Sequence, residues 1–523
     1  MNNEKYRTSL YVASAPRKFP TRSEVRSELL SLVKQFAVDN DADFLEEKQL
    51  ISYNGIQISF LVNDAPKEQL YIASFQPTGE NRNFWRKQKN IDAASSVLKF
   101  CDSFGSEFDL PKCDLNFKRI SLSSEDCVDL SNWEVICSDS KKSSLDDFLR
   151  ATNGSRYENI FSLISKEHYI YHIFTKTFFK GIEPFPQLRN FLSDFGKVEG
   201  PKPIDTVKEF SEKLSPQIKK RSVFVFLEDS NSLDRWYENH KIFFDSNKVP
   251  TQYIDEKTVR EKLQKWVGVR ANLILEMLTK MGEPPVVLQG PEEIFTNDAF
   301  LCLSDVVSTR QRLFGALFTY SKQGLGLKGD VQIYDDIEFE TPTPYSLELS
   351  EENVDLLTRK VKSLIARRLR IDILLTRKWK QENIDRLIGS LLKNGIQTEK
   401  VYYISSKTSR FVDEFLEDPV NQRSLRYMYK IIGNRIAFLK TCTEVRIYPT
   451  IFSQYVELIY PEKAKITHGD LEKILWLTKK RIYRIQEFHV LKNVEPVYIF
   501  RNLRKMYLGK IEESLDIPLR LLI

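Results

Sequence analysis

The chain has 523 residues, 41% of them hydrophobic and 29% charged, with 78 Lys and Arg against 72 Asp and Glu and a formal net charge of +6. That is an ordinary globular composition, long enough for roughly three domains, and its near-balanced charge permits an anionic partner without demanding one. No stretch reaches the ~18 apolar residues of a membrane span. Met1-Asn2-Asn3-Glu4-Lys5 lacks a signal-peptide core, and the six cysteines (Cys101, Cys113, Cys127, Cys137, Cys302, Cys442) show neither a C-x-x-C pair nor zinc spacing. The expectation is a cytoplasmic protein with reduced thiols and no organic cofactor.

The first third reads as mixed α/β. Ser23 to Val38 is an amphipathic helix with Leu29, Leu30, Val33 and Phe36 on one side. Leu50 to Val62 alternates around Tyr53-Asn54-Gly55, a hairpin signal. Leu70 to Phe75 is a further strand and Ile91 to Phe100 a helix; Ser121 to Ser144, rich in Ser and Asp, reads as a loop or insertion. His168 and His172 stand four apart, a spacing that suits two metal ligands on a helix. Their neighbours are apolar or aromatic and no third ligand is evident, so packing is expected instead. Asp194 to Val207, with Gly196, Gly200, Pro201 and Pro203, is the best candidate linker.

Beyond it, Val223-Phe224-Val225-Phe226-Leu227 ends in Glu228-Asp229-Ser230 and is followed by helical periodicity, the pattern of strand, turn and helix. On that helix Tyr237 and Lys241 share a face, because residues four apart do. A turn follows at Asn247-Lys248-Val249-Pro250, with Gln252 just past it. A second helix over Leu273 to Met281 carries Lys280 in its last turn, before Gly282 and Pro284 stop it. An aromatic ring, two ammonium groups and an amide are what a terminal phosphate capped by a stacked base requires. A solvated helix face with two surface lysines is the bland alternative.

From Ala299 a new block begins: strands at Ala299 to Leu303, Leu313 to Tyr320 and Val331 to Tyr334, then a helix over Glu351 to Leu369, a strand over Ile371 to Thr376, a helix over Asn383 to Asn394 and a strand over Lys400 to Ile404. Gly324-Leu325-Gly326-Leu327-Lys328-Gly329 matches a dinucleotide fingerprint formally, but a strand follows where the fingerprint needs a helix, so it is a turn. Three antiparallel strands followed by alternating helices and strands describe an RNase H-like fold.

The order Tyr237-x-x-x-Lys241, Gln252, then Lys280 closing a helix resembles the guide-end pocket in the MID domain of Argonaute proteins, and Lys248-Val249-Pro250-Thr251-Gln252 agrees with it. The block from Ala299 is similar to the PIWI domain of that family. The resemblance implies a Rossmann-like MID domain (residues 201–294) and an RNase H-like PIWI domain (295–523) behind a mixed α/β N-terminal region (1–200), without a PAZ domain. This resembles the short prokaryotic Argonautes.

In PIWI domains a carboxylate tetrad holds two metals. Leu303-Ser304-Asp305 resembles the first ligand word, with Asp305 in place. In Leu375-Thr376-Arg377-Lys378 and in Tyr498-Ile499-Phe500-Arg501, Lys378 and Arg501 stand where carboxylates belong. Neither cation offers a metal a lone pair, so the resemblance implies a centre that does not cleave. Asp335, Asp336 and Glu338 lie nearby without a matching word. Arg359, Arg367, Arg368 and Arg377 are candidates for a nucleic-acid backbone path. The C-terminal carboxylate of Ile523 matches the family residue that helps hold Mg²⁺ against guide phosphates. The implied function is a non-cleaving sensor in defence against plasmids or phage. It takes a 5′-phosphorylated guide, expected to be RNA, and recognises a complementary target, expected to be single-stranded DNA. It then switches on a separate effector subunit of TIR, sirtuin-like or nuclease type. The alternatives are an active guide-directed endonuclease and a guide-independent scaffold.

Overall fold

The computed structural model describes residues 8–14, 22–46, 50–53, 56–65, 70–77, 116–122, 134–137, 142–144, 169–176, 184–229, 236–263, 265, 267–282, 286–289, 299–306, 312–319, 329–334, 340–343, 346–364, 370–412, 428–432, 434–442, 450–479, 515–518 and 521. Its first unit is an antiparallel sheet. The strands are β1 (Thr8–Ser14), β2 (Asp43–Leu45), β3 (Leu50–Tyr53), β4 (Ile56–Ala65), β5 (Leu70–Pro77) and β6 (Asn116–Leu122), in the order β2-β3-β4-β5-β1-β6. The expected hairpin is present: Tyr53 pairs with Ile56 across Asn54-Gly55. Helix α1 (Arg22–Asp39) buries Leu29, Val33 and Phe36 completely, the i, i+4, i+7 stripe of an amphipathic helix. The Phe36 ring lies 5.7 Å from that of Tyr53 and ties the helix to the hairpin.

The loop expected over Ser121 to Ser144 is instead partly strand. β7 (Glu134–Cys137) pairs with β8 (Lys142–Ser144). Its other edge pairs with β13 (Val286–Gln289), with Cys137 opposite Val286. Four residues embedded in Ser- and Asp-rich sequence are too few to show a period, and a partner ~150 residues away supplies the ladder. The helix expected over Ile91 to Phe100 lies outside the described residues.

The second unit is a four-stranded parallel sheet, ordered β10-β9-β11-β12. It comprises β9 (Ile170–Thr175), α2 (Pro184–Ser193), β10 (Lys197–Pro203), β11 (Ser222–Glu228), α3 (Trp236–Ser246), β12 (Thr251–Asp255) and α4 (Val267–Met281). All seven residues of β11 are buried, because helices cover both faces of a central parallel strand. Phe174, Phe224, Phe226 and Phe244 are fully buried between this sheet and α3; each such ring contributes roughly 1.5–3 kcal/mol.

Two expectations are corrected here. Residues 194–207 are not a linker; they hold the edge strand β10, so the sheet reaches back to Ile170, ahead of residue 201. The glycines serve close approach: a Cβ on Gly196 would stand 2.5 Å from the Tyr169 carbonyl, and Gly200 adopts φ +115°, a region L side chains rarely enter. His172 lies on strand β9, not on a helix. It is buried, its Nε2 3.1 Å from Ser222 Oγ and its Nδ1 3.2 Å from Glu199 Oε2, with Phe210 and Phe224 edge-on to the ring. Burial, with Lys202 beside it, lowers its pKa to about 4, so the imidazole is neutral and packs. His168 lies outside the described residues.

The third unit carries a nine-stranded sheet. Its elements are β14 (Ala299–Val306), β15 (Arg312–Thr319), β16 (Gly329–Tyr334), α5 (Glu351–Leu364), β19 (Arg370–Leu375), α6 (Gln381–Lys393), β21 (Gln397–Val412), β22 (Met428–Ile432), β23 (Ile436–Cys442), β24 (Thr450–Tyr460), α7 (His468–Lys479) and β25 (Leu515–Pro518). A small sheet of β17 (Glu340–Thr343), β18 (Ser346–Glu348) and β20 (Lys378–Trp379) flanks it. The large sheet runs β22-β23-β24-β21-β19-β14-β15-β16-β25. Within it β14, β15 and β16 form the antiparallel meander, and β19 and β21 continue parallel to β14, which is the RNase H-like arrangement.

The glycine run as far as Lys328 lies outside the described residues; Gly329, its last residue, begins β16, which pairs antiparallel with β15. Helix α5 buries Val354, Leu357 and Val361, and α6 buries Ile384, Leu387 and Leu391, both at i, i+3, i+7 against Leu301, Ile373 and Leu375 of the sheet. Among the described residues no helix is long and apolar enough to cross a membrane.

Candidate functional site

Helices α3 and α4 both run back to the amino end of β12. Doubly wound sheets usually bind ligands at the opposite edge, beyond the carboxyl ends of their strands. Here the returning helices bring functional groups to the other end. The turn that delivers the chain to β12 needs Lys248 at φ 58°, and Gly282 at φ 90° terminates α4 just past Lys280.

Tyr237, Lys241, Gln252 and Lys280 are 7%, 5%, 6% and 4% exposed, so none is a solvated surface residue. Three of the four meet around Thr251. Its hydroxyl shares a hydrogen bond with the Tyr237 hydroxyl at 3.1 Å, and its carbonyl accepts from Lys280 Nζ at 3.0 Å. Lys280 Nζ also donates to Gln252 Oε1 at 2.8 Å, and Gln252 Nε2 donates to Glu276 Oε2 at 3.1 Å. Lys241 Nζ completes the group, 5.8 Å from the centre of the Tyr237 ring. It donates to Asp245 Oδ1 at 2.9 Å and to the Leu521 carbonyl at 3.3 Å.

Burial alone would lower the pKa of Lys241, but the Asp245 carboxylate more than offsets it and holds the ammonium charged. Burial raises the Tyr237 phenol above its usual range, so it remains neutral. The site thus contains two buried lysines, Lys241 held charged beside Asp245 and Lys280 against the Thr251 carbonyl and the Gln252 amide oxygen. Such a cluster can exchange carbonyl and amide oxygens for those of an anion.

Three residues of this network escaped the sequence reading, although spacing could have found two. Asp245 lies four beyond Lys241, and Glu276 four before Lys280, so each shares a helix face with its lysine. The Leu521 carbonyl, 280 residues from Lys241, had no local signal. The stacking role expected of Tyr237 meets a ring already packed on Phe226 (5.0 Å) and stacked on Tyr253 (5.6 Å, 23°); the half-buried Tyr253 is the more open of the pair.

The last described residues approach this site. β25 joins the edge of the large sheet beside β16, Ile517 and Leu521 are buried, and Leu521 reaches α3. Ile523 itself lies outside the described residues. The second candidate locus is the end of β14. Leu303 pairs with Leu375 of β19, the Thr376 amide donates to the Leu303 carbonyl at 3.1 Å, and the Thr376 hydroxyl donates to Ser304 Oγ at 2.6 Å. The backbone positions of Asp305, still paired with Leu313 of β15, and of Arg377-Lys378, just past β19, therefore lie at the same end of adjacent strands. Arg501, Arg367 and Arg368 lie outside the described residues. Arg359 is exposed on α5 and Arg377 half-exposed, away from the Thr251 cluster in the fold.

No protein-family model matches the sequence, and no curated protein matches it either. Solved structures do. A crystal structure of A. aeolicus Argonaute superimposes with a TM-score of 0.54 at 14% identity, over 99% of this chain and 74% of that one. The fold is that of the Argonaute proteins. Marinitoga piezophila Argonaute, solved with a 5′-OH guide RNA and target DNA, gives a TM-score of 0.58 at 11% identity over 97% of this chain and 98% of that one. Clostridium butyricum Argonaute, bound to a guide DNA and a 19-mer target DNA, gives 0.53 at 12% identity, over 92% and 67%. In Argonaute terms the parallel sheet is the MID-type unit and the nine-stranded sheet the PIWI-type unit.

Proposed function

We propose that this chain is a guide-carrying Argonaute that does not cleave. It seats the 5′-phosphorylated end of a guide among Tyr237, Lys241, Gln252 and Lys280 and recognises a complementary strand by base pairing. The convergence of Tyr237, Gln252 and Lys280 at Thr251, the first residue of β12, with Lys241 beside the Tyr237 ring, carries this reading. Each lysine supplies up to three donors to phosphate oxygens, and a charge-assisted contact contributes about 1.5–3 kcal/mol. An RNA guide with a DNA target is the combination we favour, and the Marinitoga piezophila complex gives a precedent for it. The C-terminal carboxylate of Ile523 and the guide phosphate offer the hard oxygen donors that Mg²⁺ takes; the hydrogen bond from Lys241 to the Leu521 carbonyl supports this reading by bringing the chain to the pocket at Leu521.

Lys378, just past the end of β19, and Arg501 replace metal-binding carboxylates with cations, so the PIWI-type centre grips a duplex without cutting it. Target recognition then acts through a separate effector subunit, of TIR, sirtuin-like or nuclease type, in cytoplasmic defence against plasmids or phage. Small nucleic acids that copurify with the protein should carry 5′ phosphates and be depleted by Lys241→Ala with Lys280→Ala. Unchanged retention in that double variant refutes the pocket. Guide-loaded protein incubated with complementary target and Mg²⁺ should leave the target intact; cut target establishes the rival reading, an endonuclease built around Asp305.

A further inference from the structure

We propose that Asp245 is the positioning residue of this pocket: its carboxylate, sealed one helical turn beyond Lys241, fixes the Lys241 ammonium as a charged donor between the C-terminal tail and the guide phosphate. The inference rests on the guide-end reading above and goes beyond the four residues that reading names. Asp245 is completely buried and Lys241 nearly so, at 2.9 Å. A tetrahedral ammonium has three donors. Asp245 and the Leu521 carbonyl take two of them, which leaves the third on the side of the Tyr237 hydroxyl, the group with which an arriving phosphate oxygen would share it.

The charge matters as much as the direction. Burial is the strongest influence on Lys241 and by itself favours the neutral amine; the Asp245 carboxylate does most to reverse it, with the Tyr237 hydroxyl adding a smaller contribution. Among the described residues Asp245 is the one carboxylate in ion-pair range of Lys241. Its other surroundings are Tyr237 on the same helix, the Leu521 carbonyl on the tail and the Thr251 hydroxyl on β12, which bonds Tyr237. From the neighbouring elements, Glu228 of β11 accepts from the Tyr237 amide at 3.3 Å, Tyr253 of β12 stacks on the Tyr237 ring, and Lys280 and Glu276 of α4 engage Thr251 and Gln252. None of these supplies the negative charge that Asp245 places on the ammonium. An amide at position 245 preserves shape and removes that charge, leaving a buried lysine free to lose its proton.

The test uses the full chain and two oligoribonucleotides of one sequence, one 5′-phosphorylated and one 5′-hydroxyl, with affinities measured from about pH 6 to about pH 9. Wild type should prefer the phosphate by about tenfold or more. Its preference should weaken slightly at the acid end, where the phosphate takes up its second proton near pH 6. Asp245→Asn should lose the preference at the alkaline end and regain it as pH falls, the opposite slope, because the lysine recharges. A preference unchanged from wild type at every pH overturns the proposal, and so does one lost equally at every pH, which a merely structural role would produce. Should the Asn variant fail to fold, Asp245→Glu carries the test. It keeps the pH profile of the wild type but lowers the preference by displacing the carboxylate, and an unaltered preference overturns the positioning role. Wild type that does not distinguish the two oligonucleotides sinks the guide-end reading itself, a result separable from either Asp245 outcome.

Discussion

Lys280→Met separates what a buried lysine does for the fold from what it does for a ligand. The ammonium donates to the Thr251 carbonyl at 3.0 Å and to Gln252 Oε1 at 2.8 Å from a side chain 4% exposed. Hydrogen bonds from a charged donor contribute about 1.5–3 kcal/mol each, so methionine forfeits roughly 3–6 kcal/mol of gross interaction. Against this stands the desolvation of a buried ammonium, still several kcal/mol after relaxation, which methionine does not incur. Its flexible thioether also fills much of the same space. The two effects offset, and the net loss of stability should be within about 2 kcal/mol.

Binding has no such compensation: one charge-assisted phosphate contact is lost, an affinity decrease of roughly 10- to 150-fold. Urea unfolding and titration with a 5′-phosphorylated oligonucleotide measure the two quantities on one preparation. A large fall in the unfolding midpoint with unchanged phosphate affinity would mean that Lys280 is a strut between α4 and β12, and the reasoning would be wrong.

Acid should act on the fold at two places. Asp470, at the start of α7, accepts from Lys400 Nζ at 2.7 Å, Tyr402 at 2.8 Å and the Thr467 amide at 2.9 Å. Burial pushes its carboxyl up, but Lys400 and those hydrogen bonds outweigh it and hold it below the usual range. The depressed carboxyl contributes stability that is present above about pH 3.9 and lost as pH falls through its folded value. Asp470→Asn should cost about 2–4 kcal/mol near neutrality and flatten the acid limb of the urea midpoint. His172, held neutral down to about pH 4 by burial, works over a different window. The unfolded chain takes up a proton below about pH 6.5 that the folded one refuses, so stability should fall by on the order of 3 kcal/mol between those values. Substituting Gln for His172 should remove that slope, and a slope that survives would assign it elsewhere.

Much of the molecule was legible from its residues alone, and the reason is local. α1, α5 and α6 announce themselves because a helix must keep its apolar residues on one stripe, and β11, β14 and β19 because strands covered on both faces are apolar over most of their length. Tyr237 with Lys241, and Lys280 at a helix end, were legible because helical spacing places side chains without reference to the rest of the fold. Tertiary structure decided what spacing cannot carry. Gly196 and Gly200 look like a linker until Tyr169 and Ile173 are seen against them. Glu134–Cys137 becomes a strand only because Val286–Gln289 lies beside it. The Leu521 carbonyl meets Lys241 only when the last strand docks on β16. Sequence reports a residue's own preferences; which distant group satisfies a buried charge depends on the packing of the whole chain.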